Sequence, residues 1–151
     1  MSIPKTVLSI CLLFCIEGLY AQQSPEDICR IFFEKYKTQQ SDSALDYLFK
    51  TNKFSSEAKE QTESLKLSLK QVFASNGNYF GNELLSKKTA GSCIVMFTYL
   101  VKHEKEPLLF RLSFYKPLNT WEISDFKFTS KIDEELEEAS RAYRFKENIE
   151  D

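Results

Sequence analysis

Chemistry needs particular side chains at particular spacings, and this chain of 151 residues offers few of them. Its single histidine, His103, excludes any metal site built on two imidazoles and leaves one candidate for a Ser-His or Cys-His nucleophile system. His103 stands at a predicted strand end beside Glu104, Lys105 and Glu106, with no second imidazole and no apolar surround, so it reads as a solvated turn histidine. No glycine-rich phosphate loop, no cysteine pair at metal-ligand spacing and no Gly-x-Ser-x-Gly elbow occurs. Neither a metal nor a cofactor is expected, and no catalytic residue is assigned. What remains is a set of large flat or forked side chains, Tyr99, Arg111, Tyr115 and Trp121. Flat aromatics give contact area at low entropy cost and arginine adds a fixed donor fork, which makes this set the predicted ligand or partner surface. The plainer reading is a second core face, covered by the chain's own tail or by a second copy.

The composition narrows the partners. Twenty basic residues against 22 acidic ones leave a net charge of −2, so no basic excess exists to hold phosphates and nucleic acid is not an expected partner. Thirteen Phe and seven Tyr are too many for a disordered chain; these rings must be buried in a single domain.

Residues Met1 to Ala21 read as an address. Lys5 precedes an apolar run from Val7 to Ile16 broken only by Ser9, and small Ala21 stands before polar Gln22-Gln23, the pattern of a cleaved signal peptide. The run is half the roughly 20 residues needed to span a bilayer, and Glu17 follows it, so no integral membrane anchor is expected. Cys15 has Phe14 before it, where a lipid-attachment motif carries a small residue. A secreted or periplasmic protein would retain Cys29 and Cys93, either as one bridge or as two small buried residues.

The elements that must position the aromatic set divide the chain in two. Ser24-Pro25-Glu26-Asp27 predicts a helix start, with Ile28, Phe32 and Tyr36 as its inner stripe and Cys29 and Ile31 beside them, to about Lys37. Asp42 or Ser43 caps a second helix with Ala44, Leu45, Leu48 and Phe49 inward. Ser55 or Ser56 opens a third, from about Glu57 to Ser75, with Ala58, Leu65, Leu69, Val72 and Phe73 inward. Asn76-Gly77 ends it. Strands follow at 79–86, 92–103, 108–116 and 120–129, an antiparallel meander. Centring the last turn on Leu118 sets Phe110 opposite Phe126 and Leu108 opposite Phe128 on a core face that includes Leu112 and Phe114. The other face then pairs Tyr115 with Trp121, Ser113 with Ile123 and Arg111 with Asp125. In the second strand Cys93, Val95, Phe97, Tyr99 and Val101 alternate with Ile94, Met96 and Leu100, so it is expected to be central and covered on both sides. The tail predicts a helix capped by Ser130 with Asp133, docked by a stripe of Ile132, Leu136, Ala139 and Tyr143. Acids near its start and Arg141, Arg144 and Lys146 near its end suit the helix dipole.

Helices followed by a curved antiparallel sheet is an α+β order. The stretches Gly77-Asn78-Tyr79-Phe80-Gly81, Phe97-Thr98-Tyr99-Leu100-Val101-Lys102, Leu109 to Pro117 and Trp121-Glu122-Ile123 resemble small exported bacterial members of the nuclear-transport-factor-like, cystatin-like superfamily, over about Ser24 to Phe128. The resemblance implies a cystatin-like α+β cone at 22–129, between the signal peptide at 1–21 and a charged helical tail at 130–151 that lies outside the match. Phe114, Tyr115, Lys116, Pro117 and Trp121 carry over as a hairpin. That superfamily includes isomerases, dehydratases, ligand binders and proteins without chemistry. A ketosteroid-isomerase-like member would need a carboxylate base with tyrosine donors inside an apolar cone, and Asp46 with Tyr47, or Asp125 with Tyr115 and Tyr99, are the residues on offer. Asp125 opposite Arg111 reads better as an ion pair. The favoured function is therefore an exported, non-enzymatic ligand- or protein-binding module, and the alternative is a cone-pocket isomerase or dehydratase acting on a small apolar substrate. The expected partners are a small apolar ligand and a second identical chain, a homodimer formed through the sheet face, because three helices cover only one side of a sheet.

Overall fold

The structure is a computed structural model that describes residues 23–38 and 41–147, with side chains described as far as Arg141. The expected signal peptide and Cys15 lie outside the described residues, as does the side chain of Tyr143. Helices α1 (Pro25–Lys37), α2 (Ser41–Lys50) and α3 (Lys59–Asn76), the last entered through a 3-10 turn at Ser55–Ala58, precede four strands. These are β1 (Tyr79–Ala90), β2 (Ile94–His103), β3 (Leu108–Tyr115) and β4 (Glu122–Thr129), antiparallel and in the order β1-β2-β3-β4, and α4 (Asp133–Glu147) follows. The fold is α+β.

Helix α1 starts as its residues dictate: the Ser24 hydroxyl accepts from the Asp27 amide at 3.1 Å and Pro25 fills the first turn, where no donor is missed. It buries more than one stripe. Phe32 and Phe33, neighbours in sequence, both lie inside, Phe32 against Phe110 and Phe126 and Phe33 against Tyr99, so the helix beds into the curved sheet. Helix α2 begins at Ser41, which makes Asp42 and Ser43 first-turn residues rather than caps. Ala58 is exposed in the 3-10 turn, outside the inner face formed by Leu65, Leu69, Val72 and Phe73. Gly77, at φ 76°, turns the chain into the sheet; a Cβ there would press on the Glu104 side chain at 2.8 Å.

The core face of the last hairpin is the expected one, with Phe110, Leu112 and Phe114 fully buried, Phe126 nearly so and Phe128 half-buried. The register differs. Phe110 faces Phe128, Leu112 faces Phe126 and Arg111 faces Lys127, two residues from the expected pairing. One residue of that offset comes from the turn and one from a β-bulge between Ser113 and Phe114. An offset of two keeps faces, so Phe126 and Phe128 stay inside. Ile123 lies on the turn side of the bulge, where the offset is one, and it therefore switches face, pairs with Phe114 and is buried. Its backbone completes the edge of β4: the Ile123 amide donates to Thr51 Oγ1 at 3.1 Å and its carbonyl accepts from Asn52 Nδ2 at 2.8 Å.

Strand β2 is central and covered unequally. Its core side, Val95, Phe97, Tyr99, Val101 and His103, is buried throughout. On the outer side Thr98 is buried, Met96 and Leu100 are half-buried and Ile94 is exposed. Helix α4 crosses that side, joined by Glu135 to Arg111 of β3 at 2.9 Å and by Glu138 to Lys88 of β1 at 3.4 Å. Of the expected stripe Ile132 is half-buried, as is Glu135 outside it, whereas Leu136 is 60% exposed and Ala139 is exposed. The helix starts at Asp133, with the Ile132 carbonyl accepting from Glu135 and Leu136, so Ser130 stands before the cap position. Among the described residues no helix is long and apolar enough to cross a membrane.

Candidate functional site

The four residues chosen for their contact chemistry do not share a surface. Tyr99 points to the helices, is 9% exposed and meets Phe33 edge-on at 4.8 Å. Trp121 is half-buried against the core, with Lys116 Nζ 5.0 Å over its ring. Arg111 and Tyr115 lie on the opposite, outer face. Three clefts divide them. Tyr99 lines an opening of about 370 Å3 between α1 and β1 with Arg30, Phe33, Tyr79 and Asn82, and Trp121 lines one of about 310 Å3 beside Pro25 and the β1–β2 turn. Arg111 lines a third, of about 400 Å3, where α3, the β4 edge and the start of α4 converge.

The alternation of β4 explains this third cleft. Phe126 and Phe128 point inward and Lys127 and Thr129 outward, and as β4 ends the sheet no fifth strand closes over them. The cleft wraps this edge, so Leu65 from α3 and Leu109 from the outer side of β3 join its apolar lining, and Arg111, Lys127 and Lys131 are its cations with Glu134 as the one lining carboxylate. Arg111 is held by Glu135, and Lys127 pairs with Asp125 at 3.0 Å, so the expected Arg111–Asp125 pair is replaced by two others. Leu109 was legible as an anomaly: it stands between inward Leu108 and Phe110, at a position that an outer face open to water would fill with a polar residue.

The carboxylate arrangements expected for an isomerase are not assembled. Exposed Asp46 pairs with half-buried Lys66 at 2.5 Å, while Tyr47 accepts from Gln23 at 2.7 Å. Asp125 lies on the outer side, away from Tyr99. The buried polar side chains among the described residues are Ser41, Asn76, Thr98 and His103.

His103 corrects the expectation of a solvated turn. It ends the buried parity of β2, enclosed by the rings of Tyr36, Phe73 and Tyr79. Its Nδ1 lies 3.0 Å from the Gly77 carbonyl and its Nε2 3.0 Å from the Tyr36 hydroxyl. A carbonyl can only accept, so Nδ1 carries the proton and, in the neutral ring, Nε2 accepts from Tyr36. Both nitrogens are used in joining α1, the α3–β1 turn and β2. Burial raises the Tyr36 phenol well above its ordinary value.

Cys29 and Cys93 are separate thiols. Cys29 lies on the buried face of α1 against Tyr99, whereas Cys93 precedes β2, six strand residues or about 20 Å from Tyr99. Burial pushes the Cys29 thiol up to about 12, against an ordinary value of 9.0, and raises the Tyr99 phenol as well. Among the described residues no group of three His, Cys, Asp or Glu side chains gathers at one point.

Fold and clefts together define a class: a helix-on-meander α+β protein whose openings lie at the sheet edges and turns. No protein-family model, curated protein or solved structure matches the chain.

Proposed function

We propose that this chain is an exported, non-enzymatic binding module of the nuclear-transport-factor-like, cystatin-like kind, which holds a small, largely apolar ligand in the cleft between α3 and β4. The observation that carries the reading is the cleft's lining, which sets Leu65, Leu109, Phe126 and Phe128 beside a few charged side chains, the pattern of a ligand site in which apolar contact supplies affinity and polar groups orient. Export is supported by the charged, apolar and small-residue order of residues 1–21. Binding is favoured over isomerase or dehydratase chemistry because Asp46 and Asp125 lie in ion pairs with Lys66 and Lys127, outside any apolar cavity shared with a tyrosine donor. Calorimetric titration with decanol tests the site: saturable binding is expected, abolished by Leu65→Glu with the circular dichroism spectrum unchanged. Absence of binding to the unaltered protein overturns it.

A second reading rests on a different observation. Ile94 and Tyr115 are cross-strand partners on the outer face, 43% and 44% exposed, and Leu118 nearby is 82% exposed. A two-fold homodimer through this end of the outer face would cover them. Light scattering across a concentration series checks it; a monomer throughout ends that reading.

A further inference from the structure

We propose that the ligand of the α3–β4 cleft is a single-chain amphiphile with a monoanionic headgroup, and that Glu135 of α4 is its built-in competitor for Arg111. The proposal rests on the binding role given to this cleft above. Of the three cations that line it, Arg111 is paired with Glu135 and Lys127 with Asp125, and among the described residues Lys131 has no ion-pair partner. Lys131 is thus the lining cation that can meet an anion without an exchange of partners, while Leu65, Leu109, Phe126 and Phe128 carry no charge. At about 400 Å3 the space is near the small end of ligand sites, which suits one short chain rather than a two-chain lipid.

Arg111 is the lining's only guanidinium, the group shaped to take both oxygens of a carboxylate. Its fork is already engaged, but only once: Nη2 donates to Glu135 Oε2 at 2.9 Å. Glu135 belongs to the first turn of α4, the half-buried point at which that helix meets the sheet; beyond it Leu136 and Ala139 face solvent and Lys88–Glu138 is an exposed pair. An incoming carboxylate replaces the Glu135 carboxylate one for one at Arg111, so the exchange leaves the guanidinium paired. The released Glu135 remains near the positive end of its own helix, which lowers the cost of displacement. Occupation of the cleft then loosens α4 from the outer face, and ligand binding is read out at the far end of the chain.

Decanoate and decanol, equal in chain length and different in charge, separate the parts of this proposal. Decanoate is expected to bind the wild-type chain more tightly than decanol does. The Glu135→Gln protein should bind decanoate about threefold to fivefold more tightly, the fold-change expected from removing one partly exposed ion pair. Arg111→Gln should abolish the preference for decanoate over decanol. Hydrogen exchange of the α4 amides should accelerate when decanoate is added to the wild type. Equal decanoate affinity in wild type and Glu135→Gln, with α4 exchange unaltered, overturns the competitor and leaves the cleft standing. A gain for decanol equal to that for decanoate in Glu135→Gln means that the side chain merely plugs the cleft, and overturns the headgroup assignment. Binding of neither compound by any variant overturns the cleft itself.

Discussion

The two faces of the sheet are made from the same alternating strands and held by different forces. On the helix side aromatic rings interlock: Phe110 alone meets Phe32, Tyr36, Phe126 and Phe128 at centroid separations of 5.3 to 6.2 Å, and its exposure is zero. On the outer side α4 rests on exposed ion pairs and a half-buried Ile132, above a surface that is only partly apolar. Burial of apolar area is short-ranged and close-packed, whereas exposed ion pairs contribute about 0 to 1 kcal/mol each and are screened by salt. One face is therefore a core and the other a surface with a detachable cover. Substitutions that break this contrast should do so in a definite order.

The largest effect belongs to Phe114→Ala. Its ring is fully buried against Phe97, and deletion should cost about 3 to 5 kcal/mol in denaturant unfolding. A loss below about 1 kcal/mol would mean that the ring has no packed surround.

The two thiols sharpen the contrast without altering the core. With Cys29 held up to about 12 from 9.0, its thiolate fraction at neutral pH falls about a thousandfold, and α1 also blocks access. Alkylation of the native protein followed by peptide mass analysis should modify Cys93 and spare Cys29. The same shift sets a pH dependence. The folded state keeps the Cys29 proton that the unfolded chain loses above about pH 9, so stability is full below that value and declines as pH rises toward about 12. Replacing Cys29 with Ala should flatten that decline, measured by unfolding at several alkaline pH values.

His103→Phe comes next. The new ring fits among Tyr36, Phe73 and Tyr79 but leaves the Gly77 carbonyl and Tyr36 hydroxyl without their partner, and about 2 kcal/mol should be lost. Wild-type stability in thermal unfolding would show that water replaces both contacts.

How far the sequence disclosed these features follows the same division. Local signals were sufficient for α1, where Ser24 and Pro25 act within one turn, and for the core parity of β3, where Phe110, Leu112 and Phe114 alternate. His103 was legible and misread: it shares the parity of Val95 to Val101, but charged neighbours pointed to solvent. The bulge at Ser113/Phe114 was not legible, since no glycine or proline marks it; with the one-residue offset of the turn, which sets the face of Ile123, it decided the partner of Arg111. The cleft was visible only as the apolar misfit of Leu109. Its walls come from α3, β3, β4 and α4, elements distant along the chain whose convergence no periodicity encodes.

The smallest effect is the most informative about the outer face. Arg111 and Glu135 are 46% and 21% exposed at the side chain, between the fully solvated pairs of the helix surfaces and a true core pair. A double-mutant cycle with Arg111→Gln and Glu135→Gln, read by denaturant unfolding, should give a coupling below about 1 kcal/mol. That coupling should shrink in molar salt, where the screening length falls to about 3 Å, close to the length of the contact itself. Exposed pairs such as Arg141–Glu137 should show less still. A coupling of several kcal/mol that persists in salt would place the pair in a dry interface. Helix α4 would then be a fixed second layer of the core, and the contrast between the two faces would dissolve.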